Sequence, residues 1–412
     1  MVGDRLNKNK VVIIYSTIEL VNGNSAGSAR TMNYARALSS SCDVILLTFI
    51  RLKNISIENL IEIEPGIYTC GNKAKSNKIV SKLFYYIKII YFLKSIVKLL
   101  KALGDFKQKS LLFYPTVEVF IDYMTVAYII KYKKFNVVYE SNEVRKYSTD
   151  FEINSSSYNS KFHRIKYDYS EKLTRYFSGL ICISTNIENY FIKYNHNIIR
   201  IPILSNLDNI KKVEVVKFQN GDFFKMRFFG SINYYKENLN EFLQSLKMLK
   251  TKNISHKFIV EFYGSIDNIS SEKLKASILE LQLEEQVFYR GKLNQEEVIE
   301  NMQKCHLLVL PRGASLQNHY GFSTKLSEYL ASGVPCFVTD VSDNAIYIKD
   351  DVNGFIVEPN NIYAFVQKLS YIINNYNDIV ENITYNSFKT VEDHFLYSNY
   401  SKQLENFLCS KN

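Results

Sequence analysis

GFSTKLSEYLASGVPCFVTD, residues 321–340, sets a glycine, two adjacent hydroxyls, a lysine and an acid ahead of a Gly-x-Pro turn and a short apolar run. Helix-favouring residues, stopped by Gly333 and Pro335 and followed at once by CFVT, read as a helix that returns the chain to a buried strand. HLLVLP (306–311) precedes the stretch and reads as another such strand, so the repeating unit is strand, loop, helix, strand.

That unit recurs along the chain. VVIIYS (11–16), VILLTF (44–49), LLFY (111–114), VVYE (137–140), LICIS (180–184) and IIRIPI (198–203) form a first series, with helical spacing or helix-favouring composition between most of them. A polar stretch without helical period follows at 205–222. The pattern then restarts with MRFFG (226–230), KFIVEFYG (257–264), QVFY (286–289), HLLVL (306–310), PCFVT (335–339) and GFIV (354–357). Short apolar strands alternating with helices are the pattern of parallel, doubly wound α/β sheets. We therefore expect an N-terminal domain at 1–205, a linker at 206–222 and a C-terminal domain at 223–387. A final helix at about 388–412 is expected to pack back onto the first domain. The 412-residue length agrees, being too great for one core of ordinary size.

With 46% hydrophobic and 22% charged residues and six prolines, the chain has ample apolar surface to offset the entropy of ordering. Its six cysteines are scattered, with no CxxC pair and no histidine spaced to complete a zinc site, so free thiols in a reducing cytoplasm are expected. The polar MVGDRLNKNK is followed by an apolar run too short for a signal-peptide core.

The net charge of +10 points to anionic partners without choosing among them. Residues 73–109 concentrate it: Lys73, Lys75, Lys78, Lys82, Lys88, Lys94, Lys98, Lys101, Lys107 and Lys109 interleave with Leu, Ile, Phe and Tyr, against the single acid Asp105. Such a basic amphipathic helix suits an anionic membrane surface, and its apolar runs are too short to cross one. The same pattern also describes a domain helix with its lysine stems turned outward, and both can hold.

In open α/β sheets ligands bind beyond the carboxyl ends of the strands, which is where residues 321–340 fall. Gly321 permits close backbone approach, Ser323 or Thr324 is suited to cap the helix, and the N–H groups of its first turn form an anion site. Lys325 adds a full charge. Glu328, four residues after Thr324, lies on the same side, placed to accept ribose hydroxyls. Together they describe a cradle for a nucleoside diphosphate. A capped surface helix with an incidental Lys/Glu pair would read the same way.

YGFSTKLSEYLASGVPCFVTD resembles the signature of the GT-B retaining glycosyltransferases, in the family 4 (group 1) branch used in bacterial surface polysaccharide assembly. NGNSAGSARTMNYARALS (22–39), LICISTNIENYFIKYNHNIIRIPI, MRFFGSINYYKENLNEFLQSL and VFYRGKLNQEEVIENMQKCHLLVLP resemble further stretches of that family in order and spacing. The resemblance implies the GT-B fold, two Rossmann-like domains facing across a cleft. It also implies transfer of a hexose-type sugar from a UDP- or GDP-sugar to a glycan or lipid-linked acceptor, with no metal or other cofactor. Glu328 would bind the ribose, and Lys236 would neutralise the leaving diphosphate. Phe322, Ser323 and Thr324 would line the diphosphate and sugar loop, with Gly230, Ser231, Gly264, Arg312, Gly321 and Lys325 around the donor. Arg290, Gly291 and Lys292 fall where the base is gripped, although a Gly-Lys turn after a strand needs no ligand. Gly27, Ser28 and Arg30 in the early glycine loop and helix, with Glu140, Asn142 and Glu143 after VVYE, would face the acceptor. Glu140 or Glu143 is expected to touch a sugar, because acids ending a buried strand are costly away from a polar cleft.

The sequence departs from the family at two places. Tyr320 stands where the first of two glutamates is expected, with Gln317, Asn318 or His319 as substitutes, and Ser231 and Ile232 replace an arginine often found after the first donor-domain strand. A non-catalytic nucleotide-binding scaffold at the membrane is the alternative that Tyr320 favours. A dehydrogenase is disfavoured because TIELVNGNSAGSAR lacks G-x-G-x-x-G, and a nucleic-acid binder because the charge gathers in one helix. A sugar-nucleotide epimerase would need paired acid and base residues that do not emerge. No Asp-x-Asp triplet and no catalytic triad is present, and the six histidines are dispersed.

Overall fold

The computed structural model describes residues 6, 8–16, 19–21, 25–48, 55–71, 82–103, 108–114, 136–147, 158–206, 216–219, 221–252, 254 and 257–409. The chain divides into two compact units, Met1–Lys146 with Phe151–Leu204 and Tyr397–Asn412, and Tyr147–Asp150 with Ser205–Leu396.

The first unit is built on an eight-stranded sheet of β1 (Lys10–Ser16), β2 (Asp43–Thr48), β3 (Ile61–Glu64), β4 (Ile67–Thr69), β5 (Gln108–Phe113), β6 (Asn136–Ser141), β7 (Gly179–Cys182) and β8 (Ile198–Arg200). Their order is β3-β4-β2-β1-β5-β6-β7-β8. Every pairing is parallel except β3 with β4. The continuous apolar runs of β1 and β2 arise because helices cover both faces of the sheet, so their residues are buried on each side. The hairpin β3–β4 was not anticipated: IEIE is short and polar, as an edge strand can be, and Ile61 is largely exposed.

Helix α1 (Ala26–Ser39) packs Tyr34, Ala35 and Leu38 against Val12, Ile14, Val44 and Leu46. Other core side chains stack as an aromatic series: Phe92 and Phe113 lie 5.7 Å and 4.7 Å from Tyr15, and Tyr139 lies 5.1 Å from Phe177. Phe92 comes from α2 (Lys82–Ala102), the helix expected from the lysine-rich run. It buries Phe92, Leu93, Ile96, Leu99 and Leu100, while Ile87, Tyr91, Lys94, Lys98 and Lys101 are exposed. Lys109 stands on β5 instead, and Lys73, Lys75, Lys78, Asp105 and Lys107 lie outside the described residues. No helix among the described residues is long and apolar enough to cross a membrane. The unit continues with α3 (Tyr158–Leu173) and α4 (Thr185–Phe191), which lead into β7 and β8.

The second unit is a six-stranded, wholly parallel sheet. It comprises β9 (Phe224–Phe229), β10 (Phe258–Tyr263), β11 (Val287–Gly291), β12 (Leu307–Leu310), β13 (Cys336–Thr339) and β14 (Phe355–Val357), in the order β11-β10-β9-β12-β13-β14. Between them run α5 (Leu239–Lys250), α6 (Asn268–Glu280), α7 (Gln295–Met302), α8 (Leu316–His319), α9 (Thr324–Ala331) and α10 (Asn344–Tyr347). His306 is buried here, its Nδ1 accepting the Lys225 N–H at 2.8 Å, and burial pushes its pKa down to about 4, so it stays neutral. All six cysteines are free and buried.

The last helix differs from expectation. Residues 388–394 complete α11 (Ile362–His394), a single helix of 33 residues, and only α12 (Ser401–Cys409) follows it in the first unit. The buried stripe runs unbroken through Phe365, Leu369, Ile372, Tyr376, Val380, Ile383, Ser387 and Val391, the Ser387 hydroxyl being bonded to Asn353 O and Ile383 O, so nothing stops the helix at 387. Of the stretch expected as linker, 207–215 and 220 lie outside the described residues.

Leu404 and Leu408 of α12 are fully buried in the first unit's core. Leu404→Ala is expected to destabilise that unit by about 2–5 kcal/mol, read as a fall in the denaturation midpoint. An unchanged midpoint would detach α12 from the core.

Candidate functional site

Three neighbouring strands of the second unit end in glycines with left-handed backbones: Gly230 (φ 128°) after β9, Gly264 (φ 144°) after β10 and Gly291 (φ 82°) closing β11. The Gly230 N–H donates to Tyr263 O at 2.9 Å and the Gly264 N–H to Gly291 O at 2.8 Å, so the turns stack. A Cβ on Gly264 would fall 1.8 Å from Gly230 O, and one on Gly230 would fall 2.2 Å from Lys325 Cε. At Gly264 the obstacle is backbone and only glycine fits, while at Gly230 it is a flexible lysine stem and the positive φ is what favours glycine.

Beyond Gly230 the chain folds into a tight loop. Asn233 Oδ1 accepts the Lys236 N–H at 2.9 Å, and Asn318 Nδ2 donates to Lys236 O at 2.8 Å and to Gly313 O at 2.9 Å. Asn318 thus ties the loop after β9 to the loop after β12. It is 2% exposed, its amide nitrogen is engaged with backbone and its Oδ1 is buried without a partner. His319 is exposed, edge-on to Tyr320 at 4.6 Å, and Tyr320 is half-buried.

The loop turns Glu237 inward. Its carboxylate is buried, with Oε1 3.1 Å from Lys325 Nζ and Oε2 3.3 Å from Arg312 Nε. Desolvation opposes its ionisation, but Arg312, Lys325 and Lys236 outweigh it and hold the pKa down to about 2. The Lys325 stem crosses beside Gly230, its Nζ sits 4.1 Å from the Phe228 ring centroid, and burial lowers its pKa to about 8 against the pull of Glu237. Arg312, Lys325 and Lys236 against one buried acid leave an excess of positive charge.

Helix α9 presents its amino terminus to this region. Ser323 occupies the N-cap position, yet its hydroxyl is buried and bonds neither the helix nor any other group, contrary to the expected cap. Tyr329 anchors the helix: its buried hydroxyl accepts the Phe229 N–H at 2.9 Å. Glu328 is solvent-exposed on α9, three residues after Lys325 and on the same side of the helix. Phe322 turns its ring onto Tyr347 at 5.5 Å, so its contribution there is packing, and Gly321 lies beside it in the same buried loop. Ser231 and Lys292 are exposed, and Thr324 is half-buried. Arg290, expected at the base, pairs with Glu261 at 2.8 Å, while Tyr289 donates its hydroxyl to Gly264 O at 2.9 Å.

The first-unit candidates form a separate arrangement, and two of them depart from expectation. Glu140 is fully buried and accepts Arg30 Nε at 2.6 Å, while the other Arg30 nitrogens donate to Pro202 O at 2.8 Å and Ile201 O at 3.0 Å. A carboxylate ending a buried strand demands a partner, and α1 supplies one, so the pair braces the chain leaving β8 instead of presenting an acid to a sugar. Desolvation raises the Glu140 pKa, with Arg30 opposing it. Ser28 is buried and bonds Glu19 O at 2.5 Å, Gly27 O accepts from Thr31, and Glu143 lies 3.5 Å from Arg145. Asn142 Nδ2 donates to Tyr114 Oη at 2.9 Å. Residues 22–24 of the glycine loop lie outside the described residues. Among the described residues, no group of three or more His, Cys, Asp or Glu is arranged to hold a metal.

Glu237 and Tyr329 were missed by the sequence reading. The acid following Lys236 was the available signal, but nothing local shows which way it turns.

Residues 210–390 match the family described as Glycosyl transferases group 1. Sucrose-phosphate synthase from Thermosynechococcus elongatus is similar at 14% identity, over 96% of this chain and 98% of its own, with a TM-score of 0.66. A glycosyltransferase from Rickettsia africae ESF-5 follows at 15% identity, 98% and 100% coverage and a TM-score of 0.65. Anabaena Alr3699/HepE, solved with UDP and glucose, gives 12% identity, 97% and 99% coverage and a TM-score of 0.63. No sequence among curated proteins matches the chain. The fold is GT-B.

The stacked turns allow a paired test. Gly291→Ala meets nothing within 4 Å and should cost about 1 kcal/mol from its positive φ alone, whereas Gly264→Ala should cost several times more or abolish folding. Equal denaturation midpoints for the two variants would contradict the stacking.

Proposed function

We propose that this protein is a retaining glycosyltransferase that moves a hexose-type sugar from a nucleoside diphosphate sugar to a glycan or lipid-linked acceptor in bacterial surface polysaccharide synthesis. The observation carrying the reading is the positive charge of Lys236, Arg312 and Lys325 gathered beside strand-end glycines and a helix terminus that no side chain caps. The group 1 match over the same unit supports it, as does the UDP held by the Anabaena neighbour.

In this reading the diphosphate lies over Gly230 and Gly264, where backbone can approach closely, and meets the first turn of α9. Glu328 accepts ribose hydroxyls. As the bond from the sugar's anomeric carbon to the phosphate oxygen breaks, Lys236, Lys325 and the helix terminus stabilise the charge left on the diphosphate, a task that in other enzymes falls to a metal. The acceptor hydroxyl forms the new bond on the face the diphosphate leaves, and its proton passes to the departing phosphate oxygen.

Tyr320 in place of an acid favours a second reading, a nucleotide-binding scaffold without turnover. Exposed Ile87 and Tyr91 beside Lys94, Lys98 and Lys101 on α2 favour an anionic membrane surface as a partner in either case.

Calorimetry against UDP, GDP, ADP and CMP in EDTA should show one nucleotide binding saturably, with at least tenfold weaker affinity in Glu328→Ala and Lys236→Ala. Wild-type affinity in both variants would remove the site assignment, and binding without sugar transfer would select the scaffold. Vesicles of phosphatidylglycerol should co-sediment the protein better than phosphatidylcholine ones, and Lys94→Glu with Lys98→Glu should abolish the difference. Equal sedimentation with both lipids would remove the membrane partner.

A further inference from the structure

Among the described residues four buried acids pair with arginine or lysine, and three of them have one short bond: Glu171, 3.2 Å from Lys146, accepts the Tyr190 hydroxyl at 2.6 Å. Arg30 lies 2.6 Å from Glu140 and Arg227 lies 2.7 Å from Glu261, the short spacing of charge-assisted bonds. Glu237 stands 3.1 Å from Lys325 and 3.3 Å and 3.5 Å from the two Arg312 nitrogens it faces. One carboxylate is stretched between two cations and closes tightly on neither. The Lys325 stem passes through the space that the absent side chain of Gly230 leaves open, and its ammonium lies over the Phe228 ring within reach of Glu237. Nearby, the buried Ser323 hydroxyl at the start of α9 has no partner.

We propose that Glu237 is a positioning residue acting as a resident counter-ion, which holds Lys325 and Arg312 in register while the site is empty and yields Lys325 to the diphosphate of an incoming donor. The inference rests on the donor-site reading above and gives a role to an acid buried inside an anion site. The groups facing Lys325 are Glu237 and Lys236 from the loop after β9, Arg312 from the loop after β12, and Glu328 from its own helix. Arg312 and Lys236 repel its charge and burial disfavours it, while Glu237 sustains it. Without Glu237 the buried amine would shed its proton nearer neutral pH and offer a phosphate no charge. With Glu237 it remains mostly protonated below about pH 8, and bound diphosphate, itself anionic, would take over the same support.

The sign follows. Affinity for a diphosphate should fall as pH rises through about 8 in the wild type, and the fall should move to lower pH when the Glu237 charge is removed.

The test uses the full chain with Glu237→Gln and Lys325→Met. In the ligand-free protein, lysine side-chain NMR, with Lys325 identified by its loss in Lys325→Met, should give a midpoint near pH 8, falling by at least one pH unit in Glu237→Gln. An unchanged midpoint overturns the proposal. Calorimetry with UDP-glucose or GDP-mannose between pH 6 and 8.5 should show Glu237→Gln at least tenfold weaker than wild type at pH 7 and recovering towards pH 6, with Lys325→Met flat. A loss independent of pH would make Glu237 a purely structural acid and overturn the proposal. If the wild type binds neither nucleotide sugar at any pH, the exchange falls together with the donor reading. The lysine midpoints then tell that failure from a failure of the pairing itself. Should Glu237→Gln not fold, Glu237→Asp keeps the charge but draws it back by one methylene, and a smaller downward midpoint shift is expected. No shift in that variant would again overturn the proposal.

Discussion

The region around Gly230 depends on one buried carboxylate. Remove the charge of Glu237 and three cations from three segments, Lys236, Arg312 and Lys325, would face one another without the buried acid that lies among them. Like charges at close range in a medium of low effective dielectric repel, so Glu237 favours the convergence of the loop after β9, the loop after β12 and the start of α9, and without it Lys325 would meet its neighbours at the cost of its own charge. Gly230 serves the same convergence sterically, since the Lys325 stem passes where a side chain there would stand.

The first unit meets the same problem with a different outcome. Glu140 also ends a buried strand, but Arg30 closes on it at short range and spends its remaining donors on the carbonyls of Ile201 and Pro202. That pair uses one carboxylate oxygen, and Oε2 is buried without a partner. The pair ties α1 to the segment leaving β8, and Asn33 adds a bond to Leu204 O at 2.6 Å. The two acids therefore differ in kind: Glu140, near the end of β6, closes at short range on one arginine, whereas Glu237, in the loop after β9, is shared between two cations at longer range.

Much of the fold was legible because burial writes itself locally. A strand covered on both faces must be apolar at nearly every position, and the twelve runs read from the sequence coincide with twelve of the fourteen strands. The hairpin β3–β4 escaped because an edge strand such as IEIE carries half the constraint and shows half the signal. The long α11 was cut short in the reading because its polar outer face, rich in Asn, resembles a boundary, whereas its buried stripe continues to Val391. In the site, the glycines, Lys236, Lys325 and Glu328 were visible as residue types at strand ends. The direction in which Glu140, Glu237, Asn318 and Arg290 turn was not.

What the sequence determined by itself is the succession of buried strands and covering helices, hence two parallel α/β units and the strand ends where a site could form. That information resides in the apolar spacing of residues a few positions apart. Only the tertiary structure decided which charges meet, because Glu237 reaches Arg312 across 75 residues and Lys325 across 88, and Arg30 reaches Glu140 across 110. An ion pair leaves no periodic trace in the chain, and its partner is chosen by whichever loops the packed sheet brings into range.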